Sequence, residues 1–255
     1  PADFALIGRV ERGVETGCCV ADSNGCAAGE TKDAAMLSAL LELIERDATG
    51  RWWYGGRKRP AIDPMMLDHG SKLAKHFHRQ DRILRLFDIT TDLGIPAVAA
   101  LGSDRNGKGM AAGFAARGSL VDAARTALLE LLQMELRLAI GRRHADAIGD
   151  LWEWLEISVE GAAPFATDAS ATVRFSDHRD RLTFSEIVDR LAANRIDVAA
   201  VDLTRKEFGT PVFRLVSPDL SHFKPRFGKP RLLAEDSRDL WRSYPTTPNP
   251  TFLRV

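Results

Sequence analysis

The sequence predicts an α/β (α+β) fold in which a sheet and a long helix recur in two halves of the chain. Between Ile83 and Arg137, three segments with strand character precede one helical segment, an order typical of layered folds rather than of a helical bundle. In addition, residues 25–45 recur without a gap at residues 113–133, at a constant offset of 88 positions (Gly25 to Gly113). These observations together indicate an internal pseudo-duplication of sheet-plus-helix halves.

Length and composition are those of an ordinary soluble globular protein. The chain has 255 residues, 45% hydrophobic and 27% charged, which suits one large domain or two closely packed halves. We expect the halves at about 17–110 and 111–255. Because 35 basic residues balance 35 acidic ones, a protein that mainly coats nucleic acid is disfavoured.

The ends and the cysteines of the chain give further expectations. No apolar run approaches the roughly 20 residues of a membrane helix and no secretory signal pattern opens the chain, so we expect the cytoplasm. The chain starts at Pro1 rather than at a methionine, and we expect its N-terminus to be incomplete. Cys18, Cys19 and Cys26 fit reduced thiols better than a disulfide or zinc framework.

The first long helix, Asp33 to Tyr54, carries polar residues along one face of an otherwise apolar body. At roughly 100° per residue, Ser38, Glu42 and Glu45 share that face, and Arg46 lies beside it. Two carboxylates one turn apart repel each other. We therefore expect a cationic group between these two glutamates.

The second helix repeats this polar face. At the offset of 88 positions, Thr126, Glu130 and Gln133 take the places of the serine and the two glutamates, and Arg137 extends the face. Two such helices related by a pseudo-two-fold axis would line one cleft with three carboxylates. The alternative is that both faces are the ordinary solvated faces of amphipathic helices, which the gapless repeat makes less favourable.

The first helix is flanked by a glycine-led loop and by an aromatic segment. The loop 23–29 leads to Thr31 or Asp33 as the helix cap. It lacks the spacing of a Walker loop and of a dinucleotide fingerprint, so the common nucleotide motifs do not predict binding here. Trp52-Trp53-Tyr54, at the end of the helix, is expected to serve packing.

The remaining predicted elements are further helices and strands. Helices are predicted at Met65–Gln80 and from Thr183 to Ala193, the latter capped by Thr183 with Glu186 in its first turn. Strands are predicted at 83–89, 96–102, 110–116, 198–203 and 211–217, of which 198–203 is expected to be buried. Within 144–181 we predict only a helical Trp152-Glu153-Trp154.

A basic segment broken by prolines runs from Phe223 to Arg231. Either it is a solvated loop, or the guanidinium groups of Arg226 and Arg231 hold phosphate oxygens in a fork that lysine does not reproduce. The proline-rich stretch 245–253 must run extended.

Several motifs follow one another along the chain. They are Asn24-Gly25-Cys26-Ala27-Ala28-Gly29, Ser38-x-x-x-Glu42-x-x-Glu45-Arg46-Asp47-Ala48, Asp88-x-Thr90-x-Asp92-Leu93-Gly94-Ile95-Pro96, Ala127-x-x-Glu130-x-x-Gln133, Asp202-Leu203-Thr204-Arg205, and Phe213 to Leu220. In this order they resemble the YcaO superfamily, most of all its cyclodehydratase branch, which makes thiazole/oxazole-modified microcins. The resemblance extends from about Gly17 to the end of the chain.

The resemblance implies a YcaO-like fold around one ATP cleft and an enzyme that depends on ATP and Mg²⁺. Its motifs assign catalytic roles to Glu42, Glu45, Arg46 and Glu130, and metal binding to the three glutamates. Carboxylate oxygens are hard ligands that suit Mg²⁺. The residues assigned to ATP binding are Ser38, Thr126, Gln133, Arg226 and Arg231.

The implied reaction is ATP-dependent phosphorylation of a peptide backbone amide oxygen after a nucleophile has added. The product is an azoline, a thioamide or an amidine, and the sequence leaves these open. The implied partners are a peptide substrate, a leader-peptide-binding or TfuA-like protein, and a second copy in a homodimer. Neither nucleic acid nor a membrane is expected. The alternative function is a non-catalytic scaffold with the same fold, although unpaired carboxylates would be costly to keep there.

Overall fold

The structure, a computed structural model, describes residues 23–68, 70–141, 173, 182–224 and 230–233. The described strands and helices are, in chain order, β1 (Cys26–Ala28), α1 (Lys32–Trp53), β2 (Ala61–Ile62), α2 (Gly70–Arg79), β3 (Ile83–Asp88), β4 (Ala97–Ser103), β5 (Ala111–Ala116), α3 (Leu120–Gly141), α4 (Phe184–Ala193), β6 (Ala199–Asp202), β7 (Val212–Val216) and α5 (Pro230–Leu233). This mixture of sheets and helices confirms the predicted α/β class. In the described ranges, no helix is both long enough and apolar enough to cross a membrane.

The chain divides into two compact units. The first consists of Pro1–Ile44 with Leu182–Leu220, and the second of Glu45–Arg181 with Ser221–Val255. Helix α1 therefore begins in the first unit and ends in the second. This division is not the one expected from the sequence, at about 17–110 and 111–255, and those halves stay a prediction.

The first unit contains an antiparallel sheet with the strand order β1-β7-β6. Cys26 of β1 lies opposite Arg214 of β7. Just before β1, Gly25 has a φ of 72°, and a Cβ there would lie 2.3 Å from the carbonyl oxygen of Leu215 and 2.9 Å from Cδ2 of Leu43. Only glycine fits, so this position lets β1 approach β7 and α1 closely.

Strand β6 lies at the edge of that sheet, beside β7. Ala199, Ala200 and Asp202 are exposed, so the prediction that 198–203 is a buried strand is wrong. A short run of alanine and valine cannot by itself distinguish a central strand from an edge strand, because its periodicity is too short to read.

The second unit contains an antiparallel sheet with the strand order β2-β3-β4-β5, and β4 and β5 are buried along their full length. Helix α3 packs on this sheet where Gly113 lacks a side chain. A Cβ at Gly113 would lie 2.2 Å from the carbonyl oxygen of Ala127 and 2.4 Å from the backbone nitrogen of Leu131. The core combines apolar side chains of the sheet and its helices: Ile62, Leu67, Phe77, Leu86, Val98, Ala123, Ala127, Leu131 and Leu138.

The aromatic residues at the end of α1 belong to the core of the second unit. Trp52 and Trp53 are fully buried. The ring of Trp52 lies 5.7 Å from Phe87 and 6.3 Å from Phe114, measured between centroids. Their predicted packing role is confirmed.

Helices α1 and α3 begin and end at positions 88 residues apart, which is the offset of the sequence repeat. Their caps are equivalent too: Ala34 N–H donates to Thr31 Oγ1 at 3.1 Å, and Asp122 N–H donates to Ser119 Oγ at 3.1 Å. Thr31, one of the two predicted caps, is therefore the residue that accepts this bond. The common origin of the two helices stays a prediction.

Helices α2 and α4 are related in the same way, at an offset of 114 positions (Phe77 to Leu191), which the sequence analysis missed. Each helix is followed by a non-glycine residue with positive φ, Asp81 at 53° and Arg195 at 56°. The next residue donates to the same turn in both: Arg82 N–H to the Phe77 carbonyl and Ile196 N–H to the Leu191 carbonyl.

The strands after these helices end alike. Thr90 N–H donates to Asp88 Oδ1 at 3.0 Å, and Thr204 N–H donates to Asp202 Oδ1 at 2.9 Å. Each unit thus contains a helix, two antiparallel strands and a third strand followed by a long helix. In the first unit the third strand is β1, and the long helix is the part of α1 up to Ile44. Both precede the other strands of that unit in the chain.

The helix predicted at Met65–Gln80 begins later, at Gly70. Asp63 accepts a bond from Met65 N–H at 2.9 Å and caps a 3-10 turn that Pro64 opens. A Cβ on Gly70 would lie 1.8 Å from the Pro64 carbonyl oxygen, so the turn folds against the helix start. The helix predicted at Trp152-Glu153-Trp154 and the stretch 245–253 lie outside the described residues.

Candidate functional site

The polar face of α1 becomes more buried along the helix. Ser38 is exposed, Glu42 is half-buried, and Glu45 retains 7% exposure. Ser38 and Glu42 belong to the first unit, and Glu45 and Arg46 to the second. Helical periodicity places Glu42 and Glu45 one turn apart on the same side of α1.

Arg46 is the cation that lies against Glu45. Its Nη1 lies 2.9 Å from Oε1 of Glu45, and both side chains are largely buried. The guanidinium carbon also lies 4.8 Å from the ring centroid of Phe223, a cation–π arrangement. A cation therefore lies against Glu45, and a cation between Glu42 and Glu45 stays a prediction.

On α3, two of the three predicted polar residues bond to backbone groups. Oε2 of Glu130 accepts a bond from Phe114 N–H at 2.9 Å, which ties the carboxylate to β5. Thr126 Oγ1 donates to the Asp122 carbonyl at 2.9 Å, so its proton is used within the helix. Gln133 is exposed.

Arg231 lies between two aspartates. Its Nε donates to both oxygens of Asp47 at 3.0 Å, and its Nη1 and Nη2 donate to Asp92 at 3.0 and 2.7 Å. Arg51 Nη1 adds a second cation at 2.6 Å from Asp92. The side chains of Arg51 and Asp47 are fully buried, so two arginines and two aspartates form one neutral buried network.

The charges in this network shift two pKa values. Burial by itself raises the pKa of Asp92, but the hydrogen bonds from Arg231 and the charges of Arg51 and Arg231 outweigh it and lower that pKa to about 2. Burial lowers the pKa of the Arg231 guanidinium, but the charge of Asp47 and the bonds to both aspartates raise it overall.

In this structure the donors of Arg231 bond to aspartates. The phosphate-binding role assigned to Arg231 stays a prediction. Arg226 lies outside the described residues. The sequence analysis missed the roles of Asp47, Arg51 and Asp92 in this network. The motifs around Glu45-Arg46-Asp47 and Asp88-x-Thr90-x-Asp92 contain two of these residues, but contacts across 139 and 184 positions have no local sequence signal.

Among the residues that the structure describes, no three His, Cys, Asp or Glu side chains form a group that could hold a metal ion. Mg²⁺ in nucleotide sites is commonly held by one or two carboxylates together with phosphate oxygens and water. The carboxylates of Glu42, Glu45 and Glu130 provide that donor chemistry. In addition, the fully buried Thr49 Oγ1, one turn after Glu45, has no hydrogen-bond partner in the described part of the chain.

Two relatives of uncharacterised function share part of the sequence. A protein of Methanothermobacter thermautotrophicus is 26% identical over 223 residues, which cover 79% of this chain and 56% of that protein. A protein encoded in the tfuA 3′ region of Rhizobium leguminosarum bv. trifolii is 35% identical over 104 residues, which cover 38% of this chain and 24% of that protein. The chain thus spans about half or less of these relatives.

Solved structures with this fold include two heterocyclases. A heterocyclase in complex with substrate and cofactor is 26% identical with a TM-score of 0.79, covering 91% of this chain and 32% of that chain. The heterocyclase TruD is 27% identical with a TM-score of 0.77, covering 93% and 35%. YcaO from Methanopyrus kandleri, bound with AMPPCP and Mg²⁺, shares the fold at 24% identity and a TM-score of 0.62, covering 81% and 57%.

The family assignment follows from the sequence match and agrees with the shared fold. Residues 1–221 match the family described as YcaO cyclodehydratase, ATP- and Mg²⁺-binding. This match covers most of the chain, in agreement with the motifs on α1 and α3. The chain belongs to the YcaO family, which binds ATP and Mg²⁺.

Proposed function

We propose that this chain is the ATP- and Mg²⁺-dependent part of an enzyme that modifies a backbone amide of a peptide. The observation that carries the proposal is the polar face of α1, where Ser38, Glu42, Glu45 and Arg46 occur in a member of an ATP- and Mg²⁺-binding family. Its similarity to two heterocyclases above 25% identity supports the choice of reaction class.

The proposed reaction uses ATP as a substrate. A nucleophile adds to the amide carbonyl carbon, and the resulting oxyanion attacks the γ-phosphorus while ADP leaves. Phosphate then leaves the carbon as a new double bond forms. A Cys, Ser or Thr side chain gives an azoline, with protons lost from the nucleophile and the amide nitrogen; sulfide gives a thioamide, with both sulfide protons lost. An amine gives an amidine, with its proton and one further N–H proton lost.

The residues of this chain provide the charge and the donors that such a transfer needs. Mg²⁺, when bound, would neutralise phosphate charge and assist phosphoryl transfer. One or two of the carboxylates of Glu42, Glu45 and Glu130 would hold it, together with phosphate oxygens and water. Arg46 would stabilise negative charge on the transferring phosphoryl group, because a held guanidinium acts strongly in a dry site. Donors to ATP would come from Ser38 and Gln133, and phosphate contacts from Arg226. For Thr126 and Arg231 to take part as proposed, Thr126 must release the Asp122 carbonyl and Arg231 must release an aspartate.

Calorimetric titration with ATP tests the nucleotide site. We expect wild-type binding that requires Mg²⁺, and a loss of affinity of about tenfold or more in Glu42→Gln, which removes one carboxylate without changing its shape. Glu207→Gln is the matched control, because this exposed loop glutamate lies outside the proposed site. Equal affinities of wild type and Glu42→Gln would reject the role of Glu42.

The substrate and partners are proposals as well. We propose a peptide substrate and a leader-peptide-binding or TfuA-like partner; the relative encoded beside tfuA supports the latter. Sedimentation at twice the chain mass of 28.1 kDa would support the proposed homodimer. A peptide affinity that is the same with and without ATP and Mg²⁺, and that is unchanged when Glu130 is removed, would instead support the non-catalytic scaffold.

A further inference from the structure

The segment Ser221–Lys224, which we call the strap, contacts the second-unit part of α1 at successive residues. Ser221 N–H donates to Oδ1 of Asp47 at 2.8 Å. The carbonyl oxygen of His222 would lie 2.4 Å from a Cβ on Gly50, so it approaches the helix where a side chain is missing. Phe223 lies beneath the guanidinium of Arg46, as described above.

Asp47 is the central anchor of the strap. Its side chain is fully buried, and its carboxylate accepts bonds from both Ser221 and Arg231. A hydrogen bond to an ionised acceptor is stronger than one between neutral groups, especially when water is excluded. Asp47 therefore fixes the backbone two residues before Phe223.

The residues that make the strap contacts on α1 are not repeated on α3. At the offset of 88 positions, Arg46 becomes Met134, Asp47 becomes Glu135, and Gly50 becomes Leu138. Methionine has no charge to place over an aromatic ring. The Cβ of Leu138 would occupy the space that the His222 carbonyl oxygen takes at Gly50. Glu135 instead bonds Arg82 at 2.6 Å.

The ring of Phe223 completes the surroundings of the Arg46 guanidinium. Glu45 forms an ion pair with the guanidinium and Phe223 lies against its face, while His222 stacks on Phe223 with centroids 4.8 Å apart. A guanidinium held by an ion pair and by a ring on its face has fewer orientations to lose when a phosphate binds.

We propose that Phe223 and Asp47 are positioning residues, which orient the Arg46 guanidinium toward the phosphates of Mg-ATP. The inference rests on the proposed function. Phe223 acts directly through its ring, and Asp47 acts by holding the strap that carries the ring. Neither residue contacts the nucleotide.

A double-mutant cycle measured by calorimetry with Mg-ATP tests this proposal on the full chain. We expect Phe223→Leu to weaken Mg-ATP binding about three- to tenfold, because leucine fills space without a π face. Phe223→Tyr, which keeps the ring, should retain the wild-type affinity. In an Arg46→Ala background, Phe223→Leu should have no further effect, since the group it orients is gone.

Controls separate positioning from folding and from the proposed function. Lys224→Ala removes an exposed cation 5.8 Å from the same ring and should leave affinity unchanged. The Nε–H signal of Arg46 in NMR spectra reports ring stacking without nucleotide and should shift in Phe223→Leu. A shifted signal with unchanged affinity, or additive effects in the cycle, overturns the positioning role alone. Failure of folded wild type to bind Mg-ATP overturns the proposed function and the positioning role with it, while the NMR shift still reports stacking.

Discussion

Asp92 is held ionised by two arginines although burial opposes its charge. Its folded-state pKa of about 2 lies below the ordinary value of 3.8. The carboxylate therefore stabilises the fold fully above about pH 4, and this stabilisation is lost as pH falls through 2. Acid should therefore loosen the contacts of Arg51 and Arg231 only as the pH approaches 2, since both bond this carboxylate.

The pH dependence of unfolding tests the ionisation of Asp92. We expect the free energy of unfolding of wild type to fall between pH 4 and 2, because the unfolded chain binds this proton more readily. In Asp92→Asn the fall should be smaller over the same interval. Urea unfolding at a series of pH values measures both slopes, and identical slopes would contradict the role of Asp92.

Removal of Arg231 tests the same network from its cationic side. Among the described residues, Arg231→Ala leaves only the strap N–H as a partner of the buried Asp47, and we expect a loss of about 3 kcal/mol in the free energy of unfolding. Arg231→Lys keeps the charge but not the fork, so its loss should be smaller. Urea unfolding at pH 7 measures both, and an unchanged stability in Arg231→Ala would show that the network does not stabilise the fold.

Helix α3 and strand β5 illustrate how a glycine sets the distance between two elements. Gly113 admits the backbone of α3 at residues 127 and 131, and the equivalent Gly25 admits Leu43 of α1. The sequence repeat aligns Gly25 with Gly113 and Leu43 with Leu131, although Gly25 meets the side chain of Leu43 and Gly113 meets the backbone of Leu131.

Gly113→Ala tests the close approach of α3. Its new Cβ meets backbone atoms that cannot rotate away, so α3 must shift, and we expect a loss of about 1–3 kcal/mol in the free energy of unfolding. Gly209→Ala is the contrasting variant: its φ is 66° but no atom lies within 4 Å, so it introduces backbone strain alone. Thermal unfolding compares them, and a smaller effect at Gly113 than at Gly209 would contradict close packing there.

Local patterns predicted the helices well and their surroundings less well. The caps at Thr31 and Thr183 and the packing role of Trp52 are confirmed, because side-chain chemistry and burial at these positions are local properties. The exposed edge strand β6 was predicted to be buried. The repeat of α2 in α4 was missed because few residue identities accompany it.

At the scale of the whole molecule, the sequence predicted the fold class and the family but not the network around Asp47. The motifs that carry the family resemblance occupy short stretches, so they can be read without coordinates. The contacts of Asp47 join residues on either side of a long intervening chain. Only the folded structure shows that Arg231 bonds aspartates and that Phe223 lies beneath Arg46.

The pairing of β1 with β7 has a consequence for synthesis on the ribosome. Cys26–Ala28 can pair with its partner strand only after Val212–Val216 has been translated, so the first unit has contacts of high sequence separation. Such contacts form slowly, because a long loop must close first. Most of the second unit, by contrast, is contained in the continuous segment Glu45–Arg181. The growing chain can therefore assemble that segment first, while β1, although translated before it, stays unpaired until β7 has been made.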